Sequence, residues 1–154
     1  MTKRIVILGS GESGTGAAIL AKRKGFDVFV SDKGVIKNVY KDKLLAENIE
    51  FEEGTHTYEK IFAADEIIKS PGIQEKYEVM KKVREHNIPV VGEIEFAWRY
   101  CSGKVIAITG SNGKSTCTAL TYHLLQKAGM NVAMGGNIGK SFAELIANGD
   151  HEYY

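Results

Sequence analysis

Seven consecutive residues in the last third of the chain have the types and order that bind a nucleotide phosphate. The turn from Gly110 to Thr116 reads Gly-Ser-Asn-Gly-Lys-Ser-Thr, follows the apolar run Val105–Ile108 and precedes a helical pattern. In a strand–turn–helix of this kind, the first backbone N–H groups of the helix face the anion. Lys114 supplies a point charge for the outer phosphates, and the hydroxyl of Ser115 can bind Mg²⁺. An ordinary glycine turn with a solvated lysine is the alternative, because Ile108 stands where the common phosphate loop has its first glycine.

A second glycine-rich turn, near the N-terminus, has the spacing of a dinucleotide-binding fingerprint. Gly9, Gly11 and Gly14 follow a predicted strand and open a predicted helix, and Asp32 ends the next strand. Such a turn accepts a diphosphate at the helix start, and the acidic residue accepts from a ribose hydroxyl or a base. Close packing of the helix on the sheet is the alternative use of these glycines. Glu12 does not fit a diphosphate site well, because a carboxylate beside a diphosphate is unfavourable unless it points away or meets a cation.

Two further turns follow predicted strands, at the position where open α/β sheets bind ligands. The first is Ser70-Pro71-Gly72, and the second is Gly135–Gly139, in which Asn137 can both donate and accept hydrogen bonds. A plain turn explains either segment equally well.

Strands and helices alternate along residues 1–93, which predicts an α/β fold with a doubly wound, Rossmann-like parallel sheet. The remaining residues, 94–154, contain the Lys114 turn and are predicted to begin a second, P-loop-type α/β domain. The predicted strands are 4–8, 26–31, 49–52, 66–69, 88–91, 104–109 and 131–134, and the predicted helices are 13–24, 38–47, 57–62, 75–86, 93–101, 115–128 and 142–147.

The second unit is too small to form a sheet of its own. It offers two strands and the start of a third at Tyr153-Tyr154, and two parallel strands bury little surface. We therefore expect the chain to be a piece of a longer protein, cut inside its second domain. The alternative is an intact protein whose last segment packs as an appendix on the first sheet.

Composition excludes several classes of function. With 20 basic and 19 acidic residues, the chain has no basic excess for nucleic acid, and no apolar run could cross a bilayer or serve as a signal peptide. We therefore expect a cytoplasmic protein. Cys101 and Cys117 lack metal spacing and are expected to be buried thiols. Cys117 shares one predicted helical stripe with Leu120 and Leu124.

The order and the residue types of these motifs resemble those of the Mur ligase family. The resemblance covers essentially the whole chain, and its matching segments are Gly9–Gly14, Asp32, Ser70–Ile73, Gly92–Glu95, Ile108–Thr116 and Gly135–Gly139. Among these, Ser70–Ile73, Gly92–Glu95 and Gly135–Gly139 together favour the member that adds D-glutamate. The family has three domains, so the resemblance implies a UDP-binding domain at residues 1–93 and the N-terminal part of the central ATPase domain at residues 94–154.

The resemblance also implies a reaction and its residues. The family uses ATP and Mg²⁺ to phosphorylate UDP-N-acetylmuramoyl-L-alanine, and the amine of D-glutamate attacks the acyl phosphate during peptidoglycan precursor synthesis. Lys114 would be catalytic, and Ser115 would be the Mg²⁺ ligand. The residues implied to bind ATP are Gly110, Ser111, Asn112, Gly113, Lys114, Ser115 and Thr116. Those implied to bind the UDP-sugar are Gly11, Glu12, Ser13, Asp32, Ser70, Gly72 and Asn137. The resemblance places other metal-site residues beyond residue 154, so we expect the isolated chain to bind nucleotide without turnover.

Two other functions remain open from the sequence. A nicotinamide-binding Rossmann module, such as a dehydrogenase or regulatory domain, fits Gly9–Gly14 and Asp32 but has no need for a second phosphate-binding turn. A regulatory nucleotide-binding module without catalysis fits both turns.

Overall fold

Five short strands and seven helices follow one another along residues 2–136 and 138–154, the part of the chain that this computed structural model describes. The strands are β1 (Arg4–Leu8), β2 (Asp27–Asp32), β3 (Glu50–Glu53), β4 (Glu66–Lys69) and β5 (Val90–Gly92). The helices are α1 (Glu12–Arg23), α2 (Asn38–Ala46), α3 (Tyr58–Phe62), α4 (Glu78–Glu85), α5 (Glu93–Trp98), α6 (Lys114–Lys127) and α7 (Phe142–Asn148).

The strands form one parallel sheet in the order β3-β2-β1-β4-β5. The central strand β1 is apolar on both faces because both faces are covered. Ile5 and Ile7 belong to one buried cluster, whereas Val6 and Leu8 belong to the other. A continuous apolar run is the sequence pattern expected of a parallel strand with helices on both sides. The predicted doubly wound α/β sheet is confirmed.

The strand order reverses at β1. From β1 the chain builds outward through β2 to β3, and then returns to the other side of β1 as β4 and β5. The carboxyl ends of β1 and β4 are therefore adjacent, but the loops that follow these two strands leave the sheet in different directions. This topological switch point is where open α/β sheets form a ligand-binding crevice.

Residues beyond α5 form less regular structure than the sequence predicts. The predicted strands 104–109 and 131–134 are wrong as extended strands, because they reduce to single bridges from Lys104 and Val132 to Tyr153. Tyr154 donates its N–H to the carbonyl of Lys104 at 2.8 Å. Both segments thus share one short partner, residues 152–154, and, within the described residues, the hydrogen bonds to it reach only Lys104 and Ile106 on one side and Asn131 and Ala133 on the other.

Helix α6 has the predicted helical spacing but not the predicted burial. It contains no buried residue, and Leu120 and Leu124 are 57% and 60% exposed. Cys117 is exposed and Cys101 is half-buried, so the expectation of two buried thiols is wrong. The apolar stripe exists in the sequence, but no described segment of this chain covers it.

Helix α7 packs against α1 and α5, although the sequence assigns it to the second unit. A Cβ atom added at Gly16 of α1 would lie 2.1 Å from Oγ of Ser141, so the two backbones approach closely there. Lys43 forms an ion pair with Glu144 at 2.8 Å, and Arg23 donates to the carbonyl of Ala147 at 2.7 Å. The terminal segment therefore lies on the first sheet's helix layer. The boundary at residue 93 stays a prediction.

None of the helices in the described part of the chain is both long and apolar enough to span a bilayer.

Candidate functional site

The two glycine turns predicted in the first unit meet at the switch point. The turn after β1 contains Gly9, and the turn after β4 begins at Ser70, whose Oγ donates to the carbonyl of Gly9 at 3.1 Å. A Cβ added at Gly9 would lie only 3.0 Å from the side chain of Ser70. The structure thus brings the predicted segments Gly11–Ser13 and Ser70–Gly72 to the same edge of the sheet.

The start of α1 packs tightly on this turn and leaves its first N–H groups free. A Cβ at Gly14 would lie 1.8 Å from the carbonyl oxygen of Gly9, whereas a Cβ at Gly11 would meet no atom within 4 Å. Within residues 2–136 and 138–154, no group accepts a hydrogen bond from the N–H groups of Glu12, Ser13 or Gly14. Free N–H groups at a helix start form an anion-binding site. Gly14 therefore serves close packing, while Gly11 lies on the open side.

Asp32 is held in place by the same turn. Its Oδ2 accepts from the backbone N–H of Ser10 at 2.6 Å and from the Ser10 hydroxyl at 2.7 Å, and its Oδ1 accepts from Gly34 N–H at 2.8 Å. Burial acts to raise the pKa of Asp32, but these hydrogen bonds outweigh it and hold the pKa below its ordinary value of 3.8. A carboxylate accepts about four hydrogen bonds, so roughly one position remains for a ligand hydroxyl.

The turn from Gly110 to Thr116 has the open form expected of a phosphate loop. Gly113, at φ +75°, precedes the first residue of α6, and Nζ of Lys114 folds back to donate to the carbonyls of Gly110 at 2.5 Å and Ser111 at 3.3 Å. In the described part of the chain, the N–H groups of Lys114, Ser115 and Thr116 have no acceptor. The lysine thus already spans the loop, and the N–H groups at the helix start are available to an anion.

A cavity of about 520 Å³ is lined both by this turn and by the turn that begins at Gly135. Its lining includes Lys114 and Ser115 from the first turn, and Gly135, Gly136 and Ile138 from the second. The cavity volume falls in the range of about 300–1,000 Å³ typical of small-molecule sites. Asn137, predicted to bind the UDP-sugar, lies outside the described residues.

Comparison with known proteins adds sequence evidence to this geometry. Residues 4–79 match the family model described as the MurD N-terminal domain. The chain is 55% identical over 152 residues to UDP-N-acetylmuramoylalanine–D-glutamate ligase of Bacteroides fragilis, and 54% identical over 154 residues to the enzyme of that name from Christiangramia forsetii. These alignments cover 99% and 100% of the chain, including both glycine turns.

Residues 4–79 belong to the family of MurD N-terminal domains. The whole chain aligns with Mur ligases. It spans 34% of the length of the B. fragilis enzyme and 35% of the C. forsetii enzyme. A murein peptide ligase from Psychrobacter arcticus has the same fold, with a TM-score of 0.65, 24% identity, and coverage of 84% of this chain and 28% of the other. The predicted Rossmann-like sheet is therefore that of a Mur ligase N-terminal domain.

Sequence reasoning missed a polar network beside Asp32 in this Mur ligase domain. Oγ of Ser31 donates to Glu52 at 2.6 Å and lies 2.7 Å from Nδ1 of His56. A serine hydroxyl has one proton, so Nδ1–H of His56 must be the donor in the second contact. Glu52 also accepts from the N–H of Thr57 at 2.7 Å. The network joins the ends of β2 and β3.

The electrostatics of this network follow from its burial and hydrogen bonds. Burial lowers the pKa of His56, which favours the neutral ring. Burial acts to raise the pKa of Glu52, but hydrogen bonds from Ser31 and Thr57 prevail and lower it. The available sequence signal was the polar pair Ser31-Asp32 at the end of an otherwise apolar strand. That signal does not reveal which loop supplies the partners.

No group of three or more His, Cys, Asp or Glu side chains arranged for a metal ion occurs within the described ranges. Ser115 carries the first hydroxyl after Lys114, and its role as a Mg²⁺ ligand stays a prediction.

Acid should destabilise this domain through Asp32. A carboxyl whose pKa is lowered by folding stabilises the protein above its unfolded-state pKa, and this stabilisation is lost as the pH falls through the folded-state pKa. We expect the free energy of unfolding of the chain to fall as the pH drops below the ordinary Asp32 pKa of 3.8, and Asp32→Asn to weaken this dependence. Urea unfolding at several pH values measures both effects.

The matched control is Asp42→Asn, because Asp42 is an exposed carboxyl on α2. It should leave the pH dependence close to that of the natural sequence. An equal loss of pH dependence in both variants would contradict the role given to Asp32.

Proposed function

We propose that this chain is part of an ATP-dependent ligase that adds D-glutamate to UDP-N-acetylmuramoyl-L-alanine. The observation that carries the proposal is the pair of helix starts with free N–H groups, at Glu12–Gly14 and Lys114–Thr116, in a chain aligned along its length with ligases of that name. One anion site suits the diphosphate of a sugar nucleotide, and the other suits a triphosphate. Because the proposed reaction consumes ATP, we assign it to the cytoplasm.

The residues at the switch point would bind and orient the UDP-sugar. The N–H groups of Glu12, Ser13 and Gly14 would face its diphosphate. Asp32, fixed by Ser10 and Gly34, would accept from a ribose hydroxyl or the base. Ser70 and Gly72 would line the opposite side of the crevice, and the assignment of Asn137 to the same ligand rests on the family resemblance.

The second turn would hold the triphosphate. ATP with Mg²⁺ would supply the phosphoryl group that activates the alanyl carboxylate, with ADP as the leaving group. Attack by the amine of D-glutamate would then form the amide bond and release phosphate. Nζ of Lys114 would exchange its contacts with the carbonyls of Gly110 and Ser111 for phosphate oxygens. The positive charge would offset negative charge that builds up during transfer. The hydroxyl of Ser115 would contribute to holding Mg²⁺, and Thr116 would donate to a phosphate.

A nicotinamide-binding module is not favoured, because the relatives that align with the whole chain are ligases. Titration calorimetry of the chain with UDP and with NADH separates the two functions. We expect UDP to bind at least about tenfold more tightly than NADH, a difference of about 1.4 kcal/mol. Tight binding of NADH with no response to UDP would overturn the ligase proposal.

A further inference from the structure

The imidazole of His56 is held through Nδ1, and its Nε2 atom is open. Nδ1–H donates to Oγ of Ser31 at 2.7 Å, because the serine gives its own proton to Glu52. Within the described residues no hydrogen bond reaches Nε2, and Nε of Arg4 is there the sole buried side-chain nitrogen or oxygen without a partner. Nε2 of His56 is therefore accessible to solvent. With the proton on Nδ1, Nε2 of the neutral ring is a hydrogen-bond acceptor.

Ser31, His56 and Glu52 do not form a nucleophilic triad, although the residue types would suit one. In a triad the histidine accepts the serine proton, whereas here the carboxylate of Glu52 accepts it. Ser31 is also 0% exposed, so its oxygen cannot reach a substrate. The two partners instead fix the tautomer and the orientation of the His56 ring.

His56 lies one residue away from the Gly9 turn. The carbonyl of Ser31, whose hydroxyl holds the ring, accepts from the N–H of Gly9 at 3.0 Å. Ser31 also directly precedes Asp32, the residue proposed to bind the nucleoside. Burial is the main cause of the lowered pKa of His56, and the charges of Asp32 and Lys33 also act on it. The ring is therefore within electrostatic range of the loop that follows β2.

The register of the sheet places His56 on the face that α4 covers. Ser31 pairs with Leu8 of β1, and paired residues of neighbouring strands share a face of the sheet. Leu8 is buried in the same cluster as Met80 of α4. Helix α4 is the element that follows the Ser70 turn. The loop that carries His56 therefore borders the crevice at the switch point, together with the Gly9 and Ser70 turns.

We propose that Nε2 of His56 recognises the base of the bound nucleotide by accepting a hydrogen bond from N3–H of uracil. This inference rests on the proposed function, in which the ligand is a uridine nucleotide. With the diphosphate at the start of α1 and the ribose at Asp32, the last residue of β2, the base reaches the adjacent ends of β2 and β3. Uracil has a single N–H on its pairing edge, at N3, and an acceptor of fixed tautomer is complementary to it. Cytosine has no hydrogen at N3, so the same atom disfavours it.

Titration calorimetry of the chain with UDP, 3-methyl-UDP and CDP tests this contact, because neither analogue has a hydrogen at N3. We expect the unmodified chain to bind UDP about tenfold more tightly than either analogue. His56→Asn removes the atom at Nε2 but keeps an amide near the position of Nδ1 that can donate to Ser31. This variant should bind UDP about tenfold more weakly and the three ligands within about twofold of one another. A merely structural role would weaken all three equally and leave their ratios unchanged.

His123→Asn is the matched control, because His123 is an exposed histidine on α6. It should leave all three affinities unchanged. If His56→Asn does not fold, ¹⁵N NMR of the unmodified chain replaces it: saturation with UDP should shift the Nε2 signal of His56 clearly more than saturation with 3-methyl-UDP. Equal shifts, equal affinities of the unmodified chain for UDP and 3-methyl-UDP, or a preference for UDP that persists in His56→Asn would overturn the base contact alone. Absence of UDP binding by the unmodified chain would overturn the proposed function, and the base contact with it.

Discussion

Replacing Lys114 by alanine in the full-length ligase should lower kcat at least about a thousandfold while the affinity for UDP stays within about twofold. The ammonium group is the cation that the Gly110–Thr116 turn directs across its own loop, where it contacts two carbonyl oxygens. No other Lys or Arg side chain lies in that turn. The proposed UDP-sugar site uses a different turn, after β1, so its affinity for UDP should not depend on this charge.

The rate of phosphate release that depends on both D-glutamate and UDP-N-acetylmuramoyl-L-alanine gives kcat. Calorimetry with UDP gives the affinity of the proposed UDP-sugar site. Lys127→Ala is the matched control, because Lys127 is an exposed lysine at the other end of α6. It removes the same charge from the same helix and should leave both quantities close to normal. A Lys114→Ala enzyme with a normal rate would refute the catalytic assignment.

Replacing Gly14 by alanine should disrupt the proposed sugar-nucleotide site and destabilise the domain. The new Cβ would lie 1.8 Å from the carbonyl oxygen of Gly9, a backbone atom that cannot rotate away. Helix α1 must therefore shift away from the Gly9 turn, and its free first N–H groups must shift with it. We expect the affinity for UDP to fall about a hundredfold and the free energy of unfolding to fall by about 2–3 kcal/mol.

Urea unfolding and calorimetry of the 154-residue chain measure these two effects. Gly92→Ala is the control, because Gly92 has φ −82° and a Cβ there would meet no atom within 4 Å. Its free energy of unfolding should change by less than about 1 kcal/mol. Unaltered stability and UDP affinity in Gly14→Ala would show that α1 does not pack on Gly9 as described.

The sheet was predictable from the sequence because its signals are local. A continuous apolar run gave β1, glycine closed α1 at Gly25, and alternation with helices indicated parallel pairing. The paired turns at Gly9 and Ser70 were also predictable as strand-end turns. Their direct contact follows only from the strand order, which places β4 beside β1.

The second unit was predicted less well because its elements depend on distant partners. The apolar spacing of α6 correctly indicates a helix, but burial of Cys117 and Leu120 requires a surface that the described chain does not provide. The segments at Lys104 and Val132 have strand-like composition, and each forms only one bridge. The β-propensity of a segment indicates that it can form a strand, but hydrogen bonds to neighbouring segments decide whether the strand forms.

The sequence by itself determined the α/β class, the two glycine turns for which phosphate binding is predicted, and the family resemblance. These depend on residue types at short, fixed spacings. Tertiary structure alone decided that Asp32 is held by Ser10, that His56 and Glu52 join beside it, and that α7 lies on α1 with Glu93 at its first turn. Those contacts link residues that are from 21 positions apart, for Ser31 and Glu52, to 124 positions apart, for Arg23 of α1 and Ala147 of α7. Only the packing of the sheet and its helices brings such residues together.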